Sequence, residues 1–116
     1  MSNEKRSLIQ VWKDERDSIS TLFQEKKYKE AIKPMQECTK NFLRIILELN
    51  HLKSSMHLDQ EALEQVKHKP INLSERLDYV DQNPSQYHAF IQLDALYTEV
   101  EKLAAKVEIL EQTKKS

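Results

Sequence analysis

Apolar residues recur along most of this chain at spacings of three and four, the period of a helix with one buried face. The longest instance lies between Asn83 and Gln112, where Ala89, Leu93, Leu96, Val100, Leu103, Val107 and Leu110 alternate steps of four and three. Such a seam predicts one long helix that turns a stripe toward a partner. From Thr98 onward the segment is two-faced, with Glu99, Glu101, Lys102, Lys106 and Glu108 off the stripe. Between Tyr87 and Tyr97 the apolar residues spread over several sides. With Leu93 and Leu96 inward, Tyr87 and Ile91 point nearly outward, either under the shorter helices or toward another molecule.

The same period places a first helix from Asn3 or Glu4 to about Gln24, with Leu8, Ile9, Trp12, Ile19, Leu22 and Phe23 on one side. Lys13, Asp14, Arg16 and Asp17 fall on the other, and Trp12, the sole tryptophan, reads as a core anchor. A second helix spans Tyr28 to Asn50 and becomes apolar on most sides in its second half, which predicts a central position. Pro34 lies inside it, but the period continues in phase on both sides, so a kink is expected rather than an end.

Two short helices follow a polar connection. The first, over 59–66, takes Asp59 as N-cap and Leu58 with Leu63 as a hydrophobic staple, and stops before Pro70. The second, over 72–82, takes Asn72 as N-cap with Glu75 completing a capping box. Asn83 and Pro84 end it and are expected to cap the final helix, with Gln86 at its third position. The fold class is thus all-α: one domain over 1–116, a helical bundle of three long helices plus two short ones. At about 1.5 Å per residue the last helix outruns its neighbours, so its C-terminal end protrudes, frays or pairs with another chain.

Composition narrows the function classes. The 116 residues include no glycine, which removes phosphate-cradling loops of the Walker or dinucleotide type. The single cysteine, Cys38, excludes an internal disulfide and suits a reducing compartment. No apolar run approaches a membrane span, and the first residues lack the apolar core of a signal peptide, so a cytoplasmic location is expected. Charge is nearly balanced overall, but residues 1–58 carry 11 basic against 8 acidic side chains and residues 59–116 carry 7 against 11. Neither half has the clustered basic density of a nucleic-acid footprint, which disfavours such binding.

Three constellations could carry chemistry. Glu61 with Glu64 and Glu75 with Asp78 place two carboxylate pairs one turn apart on adjacent helices, able in principle to hold magnesium through oxygen ligands. The arrangement resembles that of all-α nucleotide pyrophosphohydrolases of the MazG type, though only ten residues, Pro70 among them, separate the pairs. Arg44 and His51, two helical turns apart, resemble the arginine–histidine spacing of HEPN-type ribonucleases, the arginine for a phosphate and the histidine for acid–base work. His51, His57, His68 and His88 match no compact zinc spacing. The stretch Tyr28 to Ile32 has the look of a tetratricopeptide helix end, but no 34-residue period recurs.

A broader resemblance rests on Lys69-Pro-Ile-Asn-Leu-Ser-Glu-Arg76 and on Asn83-Pro-Ser-Gln-Tyr-His-Ala-Phe-Ile-Gln-Leu-Asp-Ala-Leu-Tyr97. Together they resemble the signature of the YpoC-like proteins of Firmicutes, over roughly residues 69–106. The resemblance implies a bacterial, cytoplasmic helical protein and carries no activity. Within the matched positions Arg76, Tyr87 and Gln92, with the outward Ile91, are the candidate partner-binding residues. They either line a partner groove or hold the short helices on the final helix.

The reading that follows is a non-enzymatic protein–protein interaction module that uses the long C-terminal helix and needs no cofactor. Its expected partner is another protein, a second copy included, with no membrane contact. The alternatives are a magnesium-dependent nucleotide hydrolase using Glu61, Glu64, Glu75 and Asp78, and a ribonuclease using Arg44 and His51.

Overall fold

A computed structural model describes residues 4–53 and 55–115, and among them every regular element is a helix. The elements are α1 (Glu4–Gln24), α2 (Tyr28–Leu49), α3 (Gln60–Gln65), α4 (Leu73–Gln82) and α5 (Tyr87–Lys115). The proposed start at Asn3 lies outside the described residues. Among the described residues no helix is long and apolar enough to cross a membrane.

The three-residue connection between α1 and α2 makes them an antiparallel hairpin, and this pair has the most extensive helix contact in the molecule. Phe42, Ile45, Ile46 and Leu49 from the second half of α2 are essentially inaccessible, which puts that half at the centre as its sequence predicts. Helix α2 runs through Pro34 without a break. Against this hairpin pack Leu93, Leu96 and Val100 of α5, each fully buried, with Leu73, Leu77 and Val80 of α4 closing the far side. Buried side chains of all five helices form one continuous cluster.

The absence of glycine has a structural consequence at the helix ends. Lys27 N–H donates to Leu22 O (2.8 Å) and Lys26 N–H to Phe23 O (3.1 Å), closing α1 in a Schellman motif. Leu52 N–H to Leu47 O (2.9 Å) and His51 N–H to Glu48 O (3.1 Å) repeat that motif after α2. The left-handed residue each motif requires is Lys26 (φ 61°) or His51 (φ 56°), where glycine is usual. Each side chain costs about 1 kcal/mol there, because its Cβ crowds the following carbonyl. Replacing the exposed Lys26 by glycine is therefore expected to stabilise the protein by about 0.5–1 kcal/mol, read as a higher thermal midpoint; a lower midpoint would refute the cost assigned to that end.

Two predicted caps differ from expectation. Asp59 does cap α3, accepting from Ala62 N–H at 2.8 Å. Asn72 does not cap α4 with its side chain: it is left-handed (φ 55°), whereas a capping side chain needs an extended backbone. Its carbonyl instead accepts Arg76 N–H at 3.1 Å. Likewise α5 begins at Tyr87, past Asn83 and Pro84, because the Asn83 side chain is already committed: its oxygen accepts Gln86 Nε2 (3.1 Å) and its nitrogen donates to Tyr79 O (2.9 Å).

Candidate functional site

The two ends of the charge asymmetry meet in the seam between α1 and α5. Asp94, Glu101 and Glu108 recur every seven residues on one edge of α5, and basic side chains of α1 run past them in the opposite direction. Arg6 Nη2 reaches Glu108 Oε2 at 2.8 Å and Lys13 Nζ reaches Glu101 Oε2 at 2.5 Å. Arg16 closes the ladder with a two-pronged contact to Asp94, Nε to Oδ1 at 3.0 Å and Nη2 to Oδ2 at 2.8 Å. Lys13 and Arg16 thus face α5, not open solvent on the far side of α1 as the helical wheel suggests; a wheel shows which side is apolar but not which neighbour flanks it.

Inside this ladder sits an aromatic layer. Trp12 is 2 % exposed, stacks on Tyr97 with centroids 4.7 Å apart, and donates from Nε1 to Asp94 Oδ1 at 3.0 Å. Tyr97 in turn donates its hydroxyl to the Cys38 carbonyl at 2.5 Å, and burial pushes its pKa well above the ordinary value. Burial, and then the neighbouring Glu15 that accepts from the thiol at 3.4 Å, push Cys38 up to about 12. The thiol is therefore protonated at neutral pH and a poor nucleophile. The network has the features of a packing joint, and the groove beside it, of 160 Å³, is lined by residues already paired with one another, such as Lys13, Arg16, Asp94 and Glu101.

A second joint holds α4 on α5. Arg76 donates from Nε to Gln92 Oε1 (2.9 Å) and from Nη1 to Ile71 O (3.0 Å) and Glu99 Oε1 (2.9 Å), while Nη2 meets the other Glu99 oxygen. Such a fork satisfies a largely buried guanidinium. Of the four candidate partner-binding residues, Arg76 and Gln92 are thus occupied within the chain, while Tyr87 (50 %) and Ile91 (44 %) are exposed. The Arg76 hydrogen bonds hold the Glu99 carboxyl below its ordinary 4.5. A depressed folded-state pKa contributes stability that is complete above that ordinary value and is lost as the pH falls through the folded one. Replacing Glu99 by glutamine should therefore flatten the fall in melting temperature between about pH 5 and about pH 3; an unchanged slope would mean the pair has no linkage to folding.

The other constellations are dispersed. His51 follows the end of α2 in left-handed conformation, so it leaves the helical path on which it would stack seven residues above Arg44. Arg44 pairs with Glu4 of α1, and His51 Nε2 pairs with Glu111 Oε1 of α5 at 2.6 Å. Glu61, Glu64, Glu75 and Asp78 are all exposed, and among the described residues no group of three or more His, Cys, Asp or Glu could hold a metal ion. Glu64 and Glu75 border one shallow depression, while Asp78 borders a separate 250 Å³ cavity floored by Leu43, Leu58, Leu63 and Leu77.

Sequence reasoning placed Trp12 correctly but missed Asp94, Arg16 and Glu101. A signal was present: acidic residues every seven positions in α5, against basic residues seven and then three positions apart in α1. The inward stripe of α5 also ends sooner than its period. Val107 is buried, whereas Leu110 is 48 % and Ile109 63 % exposed. The end of α5 is nonetheless tied down on both sides, by Arg6 to Glu108 and His51 to Glu111.

By fold the protein is an all-α bundle whose polar networks brace helix against helix. The chain belongs to the YpoC-like protein family, whose pattern it matches over residues 2–112, the two N-terminal helices included. It is 33 % identical over 106 residues to the uncharacterized protein YpoC of Bacillus subtilis strain 168, a match covering 82 % of this chain and 58 % of that relative. The chain therefore spans little more than half the length of the curated relative. No solved structure matches it.

Proposed function

We propose that this protein is a protein–protein interaction module, non-enzymatic and cofactor-free, that binds through the outward face of α5. The observation carrying the reading is the exposed apolar start of that helix. Tyr87 and Ile91 lie one turn apart, and Tyr87 and the half-exposed Tyr28 both contact Phe23, at centroid distances of 5.9 and 6.3 Å. Exposed aromatic and aliphatic side chains on a well-braced helix suit an interface centre, where such residues contribute most of the binding energy. Arg76 and Gln92 brace the flank of the same helix against α4. Neither enzymatic alternative has a comparable support, since the carboxylates do not converge and Arg44 and His51 engage different helices.

The test is a comparison of the tagged chain with a Tyr87→Ser/Ile91→Ser variant in affinity purification from a host of the family, read by mass spectrometry. The reading expects a polypeptide recovered in near-stoichiometric amount with the first and lost with the second, both giving the same circular dichroism. Equal recovery by the two folded proteins would count against this face.

A further inference from the structure

Helix α5 carries a second seam, on the side facing away from the core. Ile91, Ala95, Thr98, Lys102, Ala105 and Ile109 step by four, three, four, three and four, the spacing of a coiled-coil line. At about 3.6 residues per turn this line lies diametrically opposite Leu93, Leu96, Val100 and Val107, which are buried. Ile91 is 44 % and Ile109 63 % exposed, Thr98, Lys102 and Ala105 are exposed, and Ala95 is half-buried. Apolar residues on two opposite sides leave α5 far less two-faced than α2.

The order of residues along this line is nearly symmetric about Val100. Ile91 and Ile109 stand equally far from it, as do Ala95 and Ala105, and then Thr98 and Lys102. A helix of this kind is complementary to itself when turned end for end about a two-fold axis, the isologous contact of a symmetric dimer. We infer that two copies of this chain pair antiparallel through the outer face of α5. Each Ile91 packs on Ile109 of the second copy, and Ala95 packs on its Ala105. The inference rests on the reading of α5 as an interaction surface and names the occupant.

The alanines let the backbones approach closely near the centre, and the isoleucines close the two ends, about 27 Å apart at 1.5 Å per residue. Charge favours the same arrangement. In a parallel pair the two Lys102 side chains would meet on the seam. In the antiparallel pair each lies within about three residues' rise of Glu99 and Glu101 of the second copy, a reciprocal attraction. The acidic edge of Asp94, Glu101 and Glu108 would face its own kind across the axis, but Arg16, Lys13 and Arg6 of the same chain already neutralise it. The α1 ladder thus removes the charge repulsion that such a pairing would otherwise meet.

The experiment combines sedimentation equilibrium of the 116-residue chain with a short bis-maleimide cross-linker applied to Ala95→Cys and Ala105→Cys variants, alone and mixed. Cys38, buried and protonated, stays silent. The pairing expects a dimer whose dissociation constant rises at least about 10-fold in Ile109→Glu with unchanged circular dichroism. It also expects cross-linking in the mixture but not in either variant alone, where like positions lie about 15 Å apart along the axis. Cross-linking of each variant with itself would overturn the antiparallel register. A monomer at every concentration, combined with loss of a different captured polypeptide in Tyr87→Ser/Ile91→Ser, overturns the self-pairing and keeps the interaction reading. A monomer without such loss overturns both.

Discussion

Replacing Trp12 by alanine is expected to remove about 3–5 kcal/mol of folding free energy, a large part of the roughly 5–15 kcal/mol that a domain of this size has. The indole is 2 % exposed, lies 7° from parallel with Tyr97, and has Phe90 5.7 Å away, so its loss leaves a cavity where α1 meets α5. It also removes one donor from Asp94, although Arg16 continues to hold that carboxylate. Trp12→Phe separates the two effects: it keeps most of the packing and should cost about 1–2 kcal/mol. Urea denaturation followed by far-UV circular dichroism suits both variants, which lack the sole tryptophan. Equal midpoints for Trp12→Ala and the parent would contradict the placement of this side chain as the joint between the helices.

A second large effect is expected from two substitutions only two residues apart. Leu93→Glu places a carboxylate at a fully buried position inside the apolar cluster. The loss should exceed about 4 kcal/mol, enough to leave much of the chain unfolded at room temperature. Ile91→Glu puts the same group on the outer line, where the parent side chain is 44 % exposed, and should change monomer stability by no more than about 0.5 kcal/mol. Thermal melts at low concentration measure both. Comparable losses would mean that the outer line is covered and that α5 has no free face.

Much of the fold was legible because helical periodicity is local. The buried stripes of α1, α2 and α5 follow from three- and four-residue spacing, and Asp59 capped α3 as its position implied. The failures occur where backbone conformation or a competing partner overrode a side chain's usual role. Asn72 and Asn83 both looked like caps, yet a left-handed backbone disqualified the first and hydrogen bonds to Tyr79 and Gln86 engaged the second. Of the candidate partner-binding residues, the outward direction of Tyr87 and Ile91 was legible from their phase relative to Leu93. For Arg76 and Gln92 the sequence left two readings open, a partner groove or a hold on the final helix, and the contact between them depends on how α4 lies across α5.

By itself, the sequence determined an all-α protein, the approximate span of each helix, and most of the residues that face inward, Leu110 excepted, since these follow from backbone period and side-chain polarity over a few turns. Tertiary structure alone decided which charged groups meet. Arg6 with Glu108 and Arg16 with Asp94 are 102 and 78 residues apart in the chain. It also decided that Lys26, His51 and Asn72 accept the left-handed conformation that glycine would normally take, and that the outer side of α5 stays open. For the charged pairs and the open side of α5 the reason is the same: a helical period specifies direction around one axis, while contact needs the relative position of two axes, and that is fixed only when the whole core packs.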